Sequence, residues 1–224
     1  MKLLAIETAT DSCSVALLHD DDVREDFREA PRRQTELVLP MVEGLLAQAG
    51  WSLRELDGIA FGHGPGAFTG VRVAVSVTQG LARAAELPVV GISTLEALAL
   101  DAFARGVRTP VLAALDARLG ELYLAVYGRL AEDRLEALLP DCLCHPDALP
   151  SLPAGIRHAG GSGEVYREQL GEAVAGLEWL EGCRARARHV ARLAAPRFRA
   201  SEGLPAERAQ PVYLRDQVIQ GAVR

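Results

Sequence analysis

Two apolar runs, LDGIAFGHG (56–64) and PVVGIS (88–93), bracket a segment that begins GHGPGAFTGVR (62–72). Short runs apolar on every residue predict strands buried on both faces. Two such strands lying side by side in parallel need a crossover between them, and a helix is the usual one. The intervening segment contradicts this locally. Val71, Val73, Val75 and Val77 alternate with Arg72, Ala74, Ser76 and Thr78, and alternation alone predicts a strand. The crossover requirement, and the helical composition of QGLARAAEL after it, predict a helix over 70–86.

The segments on either side are less ambiguous. KLLAI (2–6), CSVALLHD (13–20) and VREDFRE (23–29) predict three strands joined by short turns, an antiparallel meander. Residues 36–49 place Leu37, Val38, Met41, Val42, Leu45, Leu46 and Ala49 on one broad helical stripe. Pro40 is expected to kink that helix or mark its first turn, and Gly50 to end it. Ser93-Thr94-Leu95-Glu96 is a capping-box pattern opening a helix through about Phe103. After RGVRTP (105–110) the order repeats loosely. VLAALDA, ELYLAVYG and RLEALL predict strands, GIRHAGGSG a strand with a glycine turn, and CRARARHVARLAA (183–195) an amphipathic helix. The expectation is an α/β protein of two similar lobes, 1–105 and 106–224.

Bulk composition narrows the function. Apolar residues make up 49% of the 224, enough for a large core. A net charge of -6 and only 5% aromatics argue against a chain that grips nucleic acid by itself. The amino-terminal apolar run is interrupted by Glu7 and Asp11, unlike a secretory leader, and no run approaches membrane-spanning length. Cys13, Cys142, Cys144 and Cys183 match no zinc knuckle or disulfide scaffold, so reduced cysteines in a cytoplasmic protein are expected.

Motifs for chemistry are sparse. A strand, glycine turn and helix together can cradle an anion. Yet Gly70-Val71-Arg72 is not the Gly-Lys-Ser/Thr end of a P-loop, and Gly64, Gly66 and Gly70 miss the dinucleotide spacing. A rigid turn that aims a helix is the simpler alternative. Arg72 opposes the helix dipole in the first turn and is expected to meet an external partner or an acidic neighbour. His19, His63, His145, His158 and His189 form no helical metal pair, and no nucleophile elbow exists. Asp11 and Asp116 sit near strand ends, where they could hold magnesium or simply form turns. Arg184, Arg188 and Arg192 share one helix face, open to RNA or to solvent.

Several stretches together carry a resemblance: LLAIETATDSCSVAL, GPGAFTGVRVAV, STLEALA, LDARLGELY and PVYLR. In this order, over nearly the whole chain, they resemble the bacterial TsaB (YeaZ) family. The resemblance implies an actin-like, sugar-kinase (ASKHA) fold, each lobe a mixed sheet with flanking helices. Its three nucleotide loops would fall at Glu7–Thr10, Asp116–Gly120 and Gly160–Gly163, with Glu7, Thr8, Thr10, Asp116, Gly160 and Gly161 as degenerate binding residues. Glu7 stands where relatives often carry Asp, and its extra methylene would crowd a phosphate. No cofactor is therefore expected for the chain alone, with ATP or ADP only in a complex, and no metal.

The resemblance also implies a role. Members are non-catalytic dimerisation subunits in tRNA threonylcarbamoyladenosine synthesis. They pair with a catalytic paralogue that modifies the adenosine beside the anticodon of tRNAs reading ANN codons. An ATPase accessory subunit, tRNA by indirect contact, and a homodimer when alone complete the implied partners. The implied interface uses the two helices of the first lobe: Leu37, Met41, Leu45, Arg72, Val75, Ser76 and Gln79. Alternatives are a stand-alone ASKHA-type kinase or transferase, and a glycoprotease-like peptidase.

Overall fold

The computed structural model describes residues 1–215. Strands β1 (Lys2–Glu7), β2 (Ser12–His19) and β3 (Asp22–Glu29) form the expected antiparallel meander. Helix α1 (Gln34–Ala49), β4 (Gly58–Gly62), helix α2 (Phe68–Ala85), β5 (Val89–Ile92) and helix α3 (Thr94–Ala104) follow. β4 and β5 add to β1 in parallel, giving the order β3-β2-β1-β4-β5.

The second half repeats this arrangement. β6 (Val111–Arg118), β7 (Glu121–Ala131) and β8 (Arg134–Cys144) make the meander; β9 (His158–Gly160) and β10 (Glu178–Leu180) join in parallel. The resulting order, β8-β7-β6-β9-β10, matches the first sheet strand for strand. The chain thus has two lobes, each a mixed sheet with flanking helices. The long crossovers have shrunk in the second lobe to short turns and the four-residue helix α4 (Arg167–Leu170). Helix α5 (Ala187–Arg199) closes the repeat in the place that α3 takes in the first.

Alternation along β1 decides how the layers stack. Leu3 and Ala5 face an inner core shared with α3 and α5, whereas Leu4 and Ile6 face an outer core under α1 and α2. Helix α3, encoded by the first half, packs on β6 and β7, and α5, encoded by the second half, packs on β1, β2, β4 and β5. The sheets divide near residue 106 while these two helices lie between them. Every residue from Thr94 to Phe103 is buried, because α3 has protein on all sides.

α2 is the expected helix despite its alternating valines: Val71, Ala74, Val75, Thr78 and Ala82 form the buried stripe, and Val73 and Val77 fall off it. Two local features differ from expectation. α1 runs through Pro40 in its second turn without ending. Pro40 and Glu36 are both exposed, so water can satisfy the carbonyl that the proline leaves free. At α3 only half of the capping box forms. Ser93 accepts from the Leu95 and Glu96 N–H groups, while the Glu96 carboxylate reaches Arg197 at 2.8 Å.

The arginines of 184–197 are staples rather than a free basic face. Glu25 accepts from the Arg188 N–H at 3.1 Å and pairs with Arg186 at 2.6 Å, so a residue of β3 caps α5, which has no side-chain cap of its own. Ser14 accepts from the Ala187 N–H at 3.0 Å. Arg184 meets Glu29, Arg192 meets Asp133 and Arg197 meets Glu96. These contacts bind the second half's helix to the first sheet and to the second lobe.

Candidate functional site

Two surfaces merit attention: the cleft between the lobes and the outer face of α1 and α2. The glycine-rich turn adjoins both. A side chain at Gly66 would strike the Ala9 carbonyl, and one at Gly70 the Thr8 carbonyl. The Ala67 N–H donates to the Ala9 carbonyl at 2.7 Å, and the Thr8 hydroxyl to the Gly70 carbonyl at 2.7 Å. The turn is therefore moulded onto the loop after β1, and it fixes where α2 begins. Among the described residues Arg72 meets no acid. Its guanidinium lies 3.5 Å from the Phe68 ring centre, and its Nε donates to the Tyr213 hydroxyl at 2.7 Å. Among the described residues the aromatic pair, with ring centres 5.9 Å apart, stands where an acidic neighbour was expected.

The cleft has a volume of about 1120 Å³. Of the expected nucleotide residues, Thr10, Asp116 and Gly161 line it. Glu7, Thr8 and Gly160 do not; they are buried beneath its floor. The Glu7 carboxylate lies against Gly62, whose missing side chain makes room for it. It accepts from the Ala9 N–H at 2.7 Å and from the Thr94 hydroxyl at 3.2 Å. Burial pushes its pKa up to about 7, and those hydrogen bonds only partly oppose the rise. The idea that Glu7 crowds a phosphate is thus replaced: its carboxylate points into the protein.

Asp116 is already engaged. It accepts from the Arg118 N–H at 2.7 Å and the Tyr166 hydroxyl at 3.0 Å, and pairs with the Arg118 guanidinium at 2.9 Å. Gly161 has a φ of 100°, and a side chain there would meet Ala114 and Leu98. Sequence reasoning missed Phe68, Val165, Tyr213 and Arg215 on the cleft wall. The segment after α5 brings two of them. It pairs with β5 at Leu204–Val89, and its Val212 N–H donates to the His63 carbonyl. It then reaches the second lobe, where Arg215 meets Glu121 and the Ala117 carbonyl. PVYLR was visible as a motif, but nothing in it showed that it straps one lobe to the other.

The expected interface residues divide. Arg72 and Ser76 are exposed, and Leu37 and Gln79 are half-buried, Gln79 donating to the Ala209 carbonyl at 2.7 Å. Met41, Leu45 and Val75 are only 1%, 5% and 6% exposed, all within the outer core. They are corrected to core residues, because the helices turn the centre of each apolar stripe toward the sheet. What α1 leaves outside includes Leu39 (46% exposed), Pro40 and the edge of Leu37, beside Thr35, Glu36, Glu43, Ala47 and Gln48. α2 leaves Phe68, Thr69, Arg72, Ser76, Gly80, Arg83 and Ala84, flanked by Val73 and Val77. Gly44 and Gly80 have nothing within 4 Å of where a side-chain carbon would stand. A mid-helix glycine costs about 1 kcal/mol relative to alanine, and no close packing among the described residues requires either one.

Known proteins place this architecture. A protein of Escherichia coli (strain K12) named tRNA threonylcarbamoyladenosine biosynthesis protein TsaB is 38% identical, over 97% of this chain and 96% of its own length. The chain belongs to the TsaB (YeaZ) family. A Haemophilus influenzae relative of the same name is 34% identical over 97% of the chain. The solved structure of YeaZ from Pseudomonas aeruginosa superposes with a TM-score of 0.87 at 36% identity, over 95% of this chain and 99% of that one. The family model described as "TsaD: tRNA N6-adenosine threonylcarbamoyltransferase" matches residues 28–172. That match runs from β3 to α4 and takes in the whole outer face of α1 and α2.

Proposed function

We propose that this protein works in tRNA threonylcarbamoyladenosine biosynthesis as a non-catalytic scaffold subunit. Its partner is a catalytic paralogue of the same fold, docked on the outer face of α1 and α2. One observation carries the reading: Gly44 and Gly80 sit mid-helix on that face with open space where a side chain would be. Small residues at Ser76, Gly80 and Ala84 allow a second helix pair to approach closely, and Leu39 and Phe68 supply apolar area. The same face would hold a second copy of this chain when the paralogue is absent. An ATPase subunit and tRNA join through the complex, and ATP or ADP is bound only there. The setting is the cytoplasm; among the described residues no helix is long and apolar enough to cross a membrane.

Gly80→Trp tests the interface. The position is open, so the isolated chain should keep its melting temperature within a few degrees while affinity for the paralogue falls at least about 100-fold, nearly 3 kcal/mol. Full affinity in that variant would exclude this face.

The cleft favours a second reading. Its volume, with Thr10, Asp116 and Gly161 on the wall, suits a nucleotide-dependent kinase or transferase acting alone. Calorimetric titration of ATP into the isolated chain separates the two: micromolar binding favours the enzyme, and no heat favours the scaffold.

A further inference from the structure

Cys142 and Cys144 have no place in the proposed function. They lie on β8, the edge strand of the second sheet, and stand opposite Leu124 and Leu122 of β7. Residues two apart on a strand share a face, so both thiols emerge on the same side. Both are free, half-buried, and packed on the same apolar cluster. The Cys142 thiol donates to the Leu124 carbonyl at 3.4 Å. Cys13 and Cys183 differ: both are fully buried, in the outer and inner cores.

We propose that Cys142 and Cys144 form a reversible dithiol–disulfide pair that exchanges with low-molecular-weight disulfides, Cys142 attacking and Cys144 resolving. The neighbouring Cys144 thiol lowers the Cys142 pKa, and Cys142 in turn raises that of Cys144. In the first step the Cys142 thiolate attacks one sulfur of the external disulfide. A mixed disulfide forms and one external thiolate leaves. Cys144 then gives its proton to solvent and attacks the Cys142 sulfur, expelling the second external thiolate. Two protein thiols are oxidised, one external disulfide is reduced to two thiols, and atoms and electrons balance.

Strand geometry makes the product labile. Two residues of extended chain span about 6.6–6.8 Å, the upper end of the Cα separations that disulfides accept. Closure therefore needs β8 to pucker at Leu143. An edge strand can do this, and the β7–β8 register already shifts between Leu124 and Tyr127. Strained disulfides are oxidising and easily reduced again.

The test equilibrates the full-length chain with glutathione buffers of graded ratio, then unfolds it, alkylates the thiols and maps peptides by mass spectrometry. Two of the four thiols should disappear, with a Cys142–Cys144 link in the product. Cys144→Ser should accumulate glutathione on Cys142. Cys142→Ser should likewise stop at a glutathione adduct on Cys144, with no link within the chain. Four alkylatable thiols at every glutathione ratio, or an intramolecular link that persists in either variant, would overturn the assignment.

Discussion

Glu7→Gln gives the sharpest test of how the floor of the cleft is built. The carboxyl is fully buried and its pKa stands near 7 instead of 4.5. Between those values the native state holds a proton that the unfolded chain has released. Unfolding then frees a proton, so the wild-type chain loses stability as pH rises through the window. The slope is about 1.36 kcal/mol per pH unit, and the full penalty above pH 7 is about 3 kcal/mol. Glutamine keeps an oxygen for the Ala9 N–H and never ionises. The variant should match the wild type near pH 4.5 and exceed it increasingly up to pH 8. Urea unfolding at steps from pH 4.5 to 8.5 reads the difference. At m near 3 kcal/mol/M the midpoints should separate by roughly 1 M at the alkaline end. Other titrating groups cancel, since both proteins share them. A stability difference that stays constant across the range would refute the buried, proton-holding Glu7.

Met41→Ala should cost about 2–5 kcal/mol in urea unfolding, and Leu39→Ala less than about 0.5 kcal/mol, because only Met41 is in the core. Gly80→Ala should stabilise the isolated chain by about 0.5–1 kcal/mol, whereas Gly66→Ala should lower its calorimetric melting temperature, since its side chain meets the Ala9 carbonyl. At Asp101 burial works to raise the pKa, but His189 at 3.0 Å, the Arg184 N–H and Arg105 outweigh it and hold the value below 3.8. That stability is present above pH 3.8 and lost as pH falls through the lower native value, so Asp101→Asn should flatten the acid limb of the unfolding profile.

Sequence alone settled what depends on neighbours along the chain. The meander of β1–β3, the glycine end of α1 and the Ser93 cap follow from alternation, left-handed backbone and local hydrogen bonds. The repeat of strand types also foretold two lobes with one topology. Tertiary structure decided whatever depends on what lies across a gap. The alternating valines of α2 alone read as a strand, but the need for a crossover between the flanking apolar runs already predicted the helix; packing decided only that Val71 and Val75 are the valines it buries. Met41, Leu45 and Val75 were legible as apolar but not as inward-facing, because a stripe does not say which side the sheet lies on. Glu7 and Gly160 end strands β1 and β9 and Thr8 follows β1, all three buried and off the cleft wall, and Phe68 meets Tyr213 only because the chain's last described residues return across the first lobe. Local physics fixes which elements form; direction, depth and partner come from packing between segments that one strand or helix cannot sense.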